Sequence, residues 1–332
     1  MSGTRNLELN LGKLCNNRCI FCLDGRAPKE SRKWVPAGRA AEELGRARSE
    51  GTDSVGLLGG EPTAHPEILE IVGTARELGF TRIALTTNGL KLSNAGFARK
   101  LVSAGVTRLS ISVHAHRAED EDFLTGRKGN FERKTRGLRN LEVLRREGFL
   151  RHNVSLNAVI NTRNYRAMPE YAAHYRGFGI TDVRFNMIRT DACPERGEEL
   201  TPRFRDLAPE IARSVAVNAA RLRMHMSFGD LPLCVFPWEI LENPGLAAQV
   251  IGEARDLETW VSVFLAPADP DRDADRFRWT DKKRSALKIQ PEEPCGRCRA
   301  SPVCEGVWRS YHGLYGSGEL NALSRGITPL NT

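Results

Sequence analysis

The sequence predicts an α/β protein: a partial (β/α)6 TIM-like barrel followed by a loop-rich C-terminal extension. Strand-like and helix-like segments alternate six times between residues 7 and 222. Repeated β-then-α order favours parallel strands joined by right-handed crossovers. Six units fall short of the eight that close a full barrel, although a doubly wound sheet has the same element order. The alternation fades after about residue 225, and eight prolines between Pro232 and Pro302 break up the final third. The expected division is therefore a core over 1–225 and an extension over 226–332.

Each element follows from its pattern. Leu7–Leu11 alternates apolar and polar residues, as a strand does, and Ala37–Arg48 has helical periodicity. Ser54–Leu58 (strand), Pro66–Leu78 (helix), Arg82–Thr86 (strand) and Ala95–Ala104 (helix) come next. Strands Arg108–Val113 and Asn153–Ile160 bracket a helix over Phe131–Glu147. Arg166–Phe178 reads as a helix, Asp182–Met187 as a strand and Pro202–Leu222 as a long helix. A charged stretch at Asp269–Arg284 interrupts the extension.

At 332 residues the chain can bury a sizeable core, and its 40% apolar content fits a globular protein. No run approaches the roughly 20 apolar residues of a membrane span. The N-terminus MSGTRNLELNLG lacks the apolar stretch of a secretory signal. A cytoplasmic enzyme that needs no membrane is the expectation. The formal charge of +8 comes largely from arginines such as Arg133, Arg136, Arg139, Arg145 and Arg146. Without interleaved aromatics these read as a solvated helix face, so nucleic acid is not expected as a partner.

Eight cysteines are more specific, and in a reducing compartment such spacing indicates metal or catalysis rather than disulfides. Cys15, Cys19 and Cys22 follow the first strand as C-x3-C-x2-C. Three thiolates on a four-iron cluster leave one iron open to an external ligand. Structural zinc would want four protein ligands, and no histidine falls near this loop. The motif, with Phe21 before its last cysteine, resembles that of the radical S-adenosylmethionine (radical SAM) superfamily. The resemblance implies a [4Fe–4S] cluster whose open iron binds S-adenosylmethionine, and a 5′-deoxyadenosyl radical that abstracts hydrogen from substrate. Gly59-Gly60-Glu61-Pro62 after the second strand resembles the family's GGEP motif, which contacts the methionine amine. Thr87, Asn88 and Gly89 match a TNG sequence closing the third strand. By the same resemblance Ser112 faces the ligand, Asn157 binds ribose, and the backbone after Met187, at Ile188, contacts adenine.

A second set, Cys295, Cys298 and Cys304, forms C-x2-C-x5-C-x-G, and Cys234 is the candidate fourth ligand. Spacing alone suits zinc or iron–sulfur equally. Family context favours an auxiliary [4Fe–4S] cluster in a SPASM- or twitch-like extension, serving as electron acceptor or substrate anchor. The sequence has fewer cysteines than the full SPASM pattern. Cys193 stands alone and reads as a small buried hydrophobe. His114 and His116 read as satisfied polar contacts, while Arg184 and Asn186 alternate on the sixth strand without parity saying which way they point. The implied partners are a small-molecule or peptide substrate and a reductant such as flavodoxin or ferredoxin. Two other readings are a non-catalytic iron–sulfur or zinc protein and an RNA-modifying member of the superfamily. The catalytic residues and the substrate are not readable from the sequence.

Overall fold

The computed structural model describes residues 5–150, 154–252, 259–263 and 275–325. In chain order the main strands are β1 (Asn6–Asn10), β2 (Ser54–Leu58), β3 (Arg82–Thr87), β4 (Arg108–Ser112), β5 (Ser155–Ile160), β6 (Asp182–Met187), β7 (His225–Gly229), β8 (Thr259–Val263) and β9 (Asp275–Arg278). A short ribbon follows, β10 (Lys288–Ile289) with β11 (Val307–Trp308). The helices used below are α1 (Ala37–Ser49), α2 (Ile68–Glu77), α3 (Ala95–Ala104), α4 (Ala118–Thr125), α5 (Asn130–Arg146), α6 (Met168–Arg176), α7 (Gly197–Leu200) and α8 (Phe204–Val217). Asn153, and the part of the charged stretch before residue 275, lie outside the described residues. Among the described residues no helix is long and apolar enough to cross a membrane.

The chain packs as two units, and the expected boundary after residue 225 is not where the packing divides. Unit one comprises residues 1–113, 117–156 and 257–279; unit two comprises 114–116, 157–256 and 280–332. The C-terminal segment thus belongs with residues 157–256, for a visible reason. Phe204 of α8 stacks on Tyr311 at 3.7 Å and 9°, and Arg203 bridges Glu319 at 3.0 Å.

Within unit one the strand order is β4-β3-β2-β1-β8-β9. All neighbours are parallel except β8 and β9, so the sheet is mixed. Alternation sets its faces. Leu7, Leu9, Val55, Leu57, Leu85 and Leu109 are fully buried, whereas Glu8, Asn10, Thr86, Ser110 and Ser112 are half-buried on the other face. Helix α1 covers its side with Ala40, Leu44 and Ala47, and α2 with Ile68, Ile71, Val72 and Ala75. These positions recur at the spacing of one helix face. Each fully buried leucine contributes about 2 kcal/mol.

Within unit two β7, β6 and β5 run in that order, with β6 and β7 parallel. Strand β7 goes beyond the six units expected. The α/β class and the β/α order of the first six units are as anticipated.

Candidate functional site

The cysteine loop of unit one is held from three sides. From β2, Glu61 N–H donates to Leu14 O at 2.8 Å. Gly60 has φ +52, and a Cβ there would lie 2.1 Å from the same Leu14 oxygen. Gly59 (φ +92) presses as closely on Asn10. The glycines were expected to let backbone approach a ligand; their contacts are with the chain's own first strand and cysteine loop. From α4, Ile20 N–H donates to Leu124 O at 3.0 Å and Arg18 N–H to Thr125 O at 3.3 Å. From α5, Asn130 Nδ2 donates to Asn17 Oδ1 at 2.8 Å.

Glu61 is 1% exposed, and its carboxylate ties β2 to the end of β3. Oε1 accepts from Thr63 N at 3.0 Å and from the hydroxyls of Thr63 and Thr87 at 2.5 Å each. Oε2 accepts from Asn88 N at 2.6 Å. Asn88 then turns its side chain to the cysteines: Nδ2 donates to Asn16 Oδ1 at 2.7 Å and reaches Cys15 Sγ at 3.7 Å. The TNG residues are therefore more than a turn. They position the loop.

Cys15, Cys19 and Cys22 are in no disulfide. Burial pushes the Cys15 thiol up to about 11 and the Cys19 thiol up to about 12, and raises Cys22. The thiols lie close enough that each of Cys15 and Cys19 is raised further by Cys22. Asn17 N–H donates to Cys15 Sγ at 3.3 Å. Phe21 is half-buried between the last two cysteines.

Behind Cys19 lies a buried ion pair that cysteine spacing does not predict. Lys134 and Glu121 are 1% and 0% exposed at their side chains and meet at 2.5 Å. Lys134 Nζ also donates to Ser112 O at 2.7 Å, so the end of β4 is fixed by its carbonyl. Lys134 pulls the Cys19 thiol down, against burial. Nothing in the basic run of α5 distinguishes this lysine from its solvated neighbours.

In unit two, Asn157 Oδ1 accepts from Asn186 Nδ2 at 2.7 Å, and Arg184 Nε donates to Asn186 Oδ1 at 2.9 Å. Val183, Phe185 and Met187 are buried on the opposite face of β6. Ile188 is buried, and its N–H donates to Ile160 O at 3.3 Å. His114 is buried and accepts from Val159 N–H at 3.3 Å. The His116 ring lies 6.1 Å from that of His174. Cys193 is fully buried.

The second cysteine set comes together within this unit. Cys234, on a turn just after β7, joins Cys295, Cys298 and Cys304 around one small cavity of about 20 Å³. Backbone amides point at the sulfurs. Leu233 and Gly306 donate to Cys304 Sγ at 3.5 and 3.4 Å, and Leu323 to Cys298 Sγ at 3.4 Å. Burial raises Cys234 to about 11, with smaller upward pushes from the other three thiols. Among the described residues no three His, Cys, Asp or Glu side chains close on a point that a single ion would occupy.

The family model described as the radical SAM superfamily matches residues 9–174, half of the chain. The chain belongs to the radical SAM superfamily. A probable GTP 3′,8-cyclase of Metallosphaera sedula is 34% identical over 226 residues, covering 66% of this chain and 67% of its own. One from Saccharolobus islandicus is 29% identical over 181 residues, covering 54% and 55%. The chain thus spans about half the length of several curated relatives it matches. Among solved structures, Streptococcus suis SuiB bound to S-adenosylmethionine is similar with a TM-score of 0.62 at 17% identity, over 96% of this chain and 76% of that one. HydG, a maturase of the [FeFe]-hydrogenase, gives 0.54 at 12% identity, over 84% and 62%. At such identities the likeness is one of fold. It agrees with a radical SAM fold carrying a SPASM-like C-terminal extension.

Proposed function

We propose that this radical SAM enzyme holds one [4Fe–4S] cluster on Cys15, Cys19 and Cys22 and an auxiliary one on Cys234, Cys295, Cys298 and Cys304. The observation that carries the reading is three free thiols on one loop, clamped by Gly60, Glu61 and Asn88. The donor sets fit. Three thiols leave one iron open; four saturate a cluster. Cysteine spacing alone suits zinc as well, and membership of the radical SAM superfamily favours iron–sulfur. When bound, the first cluster would supply the electron that cleaves S-adenosylmethionine to a 5′-deoxyadenosyl radical, which takes a hydrogen atom from substrate.

The chain's own residues prepare this. Glu61 Oε2 accepts one N–H and keeps a lone pair for the methionine amine. Thr87 and Asn88 hold that carboxylate in place. Lys134 sets a positive charge beside Cys19, favouring thiolate. The substrate is a small molecule or a peptide, and the electron comes from a reductant of the flavodoxin or ferredoxin kind.

Anaerobic reconstitution is expected to load about eight irons per chain. Dithionite with S-adenosylmethionine should then release 5′-deoxyadenosine, and Cys15→Ala, Cys19→Ala or Cys22→Ala should each abolish that release. Fewer than about three irons and no 5′-deoxyadenosine would overturn the proposal.

A further inference from the structure

Beside the four-cysteine cavity lies a buried charge cluster that cysteine spacing does not call for. Lys283 and Lys288 are 1% and 0% exposed. Both ammonium groups meet the same carboxylate oxygen, Glu305 Oε2, at 2.8 and 2.7 Å. Asp230, which follows β7 with φ +65, stands 3.8 and 3.9 Å from them with its side chain 21% exposed. Lys288 also lies 4.8 Å over the Trp308 ring. Glu305 directly follows Cys304, and the charge of Lys288 is felt at the Cys304 thiol.

Burying two ammonium groups is costly, and lysine is among the residues least often buried. Here they stand at the corner of the cavity already richest in donors, where Cys304 accepts two backbone N–H bonds. A four-thiolate cluster is a net anion, and one added electron makes it more so. Cations fixed nearby, shielded from salt, stabilise the reduced form more than the oxidised one. Amide donors to the sulfurs act in the same direction.

We propose that Lys283 and Lys288 are positioning residues that hold the auxiliary cluster's reduction potential up, fitting it to accept an electron rather than only to anchor the tail. This rests on the auxiliary-cluster reading above.

The test is an EPR-monitored redox titration of the full chain carrying Cys15→Ala, Cys19→Ala and Cys22→Ala, so that one cluster signal remains. Adding Lys288→Met should lower the ratio of reduced to oxidised cluster at fixed potential at least tenfold, a shift of about 59 mV for one electron. Lys283→Met should act in the same sense, while Lys288→Arg should hold the potential. Should a methionine variant fail to fold, Glu305→Gln provides the opposite arm: it removes an anion and must raise the ratio. Full iron content with an unmoved potential in Lys288→Met, or a ratio unchanged or lowered in Glu305→Gln, would overturn the inference alone. Absence of iron from the four-cysteine set would overturn the auxiliary-cluster reading as well.

Discussion

Glu61 and Gly60 are adjacent residues with opposite requirements. A carboxylate sealed from water must find donors, and Glu61 finds four, from Thr63, Thr87 and Asn88. Gly60 must have no side chain, because Leu14 O fills the space a Cβ would take. Gly60→Ala is therefore expected to push the cysteine loop away and to fit poorly at φ +52. Reconstituted Gly60→Ala should load about four irons instead of about eight; iron analysis giving the full complement would refute the clamp. The GGEP motif was legible in the sequence, but its partners were not. Asn10, Leu14 and Thr87 meet it through strand pairing, and no linear pattern states which atoms that pairing brings together. Lys134 and Glu121 were illegible for another reason: a buried lysine in an arginine-rich helix looks like its neighbours until the packing is known.

At the scale of elements, strands β1 to β6 were readable because each pairs short alternation with a following helical period. Ser54–Leu58, Ala95–Ala104 and Asp182–Met187 fall at the bounds expected. Strand β7 was missed because four of its five residues are buried, on both faces, leaving no alternation to see. Strand β8 was missed because its partner, β1, lies at the other end of the sequence. The join between α8 and the helix Arg309–Tyr315 was likewise invisible, and it supports a pH prediction. Burial would push the Glu319 carboxyl up, but hydrogen bonds from Tyr311 at 2.6 Å and Arg203 at 3.0 Å outweigh it and hold the carboxyl below its ordinary 4.5. A depressed pKa contributes stability that is present above the unfolded value and lost as pH falls through the folded one. Thermal unfolding should therefore show Glu319→Gln less stable than the parent at pH 7 by on the order of 1 kcal/mol. The gap should close below about pH 4. A gap independent of pH would refute the assignment.

Across the whole molecule, seven of eight cysteines sort into two sets, three in unit one and four in unit two. The spacing of Cys295, Cys298 and Cys304 announced the second set. The sequence offered Cys234 as the candidate fourth member, and it joins the others because β7 ends where the tail returns. Cys234 and Cys295 are 61 positions apart. Joining residues so far apart removes chain entropy from the unfolded state, roughly 4 kcal/mol if a cluster acts as a disulfide does. Reconstituted protein should thus resist limited proteolysis of its C-terminal segment far better than Cys234→Ala, and equal cleavage rates would count against the join. The position of Cys234 also bears on how long each molecule lasts. An oxidant that dismantled the proposed cluster would cut no peptide bond, yet it would release the tail from the end of β7. Damage to a cofactor would then become a loose end that proteases can seize, and the enzyme's lifetime would record its exposure to oxygen.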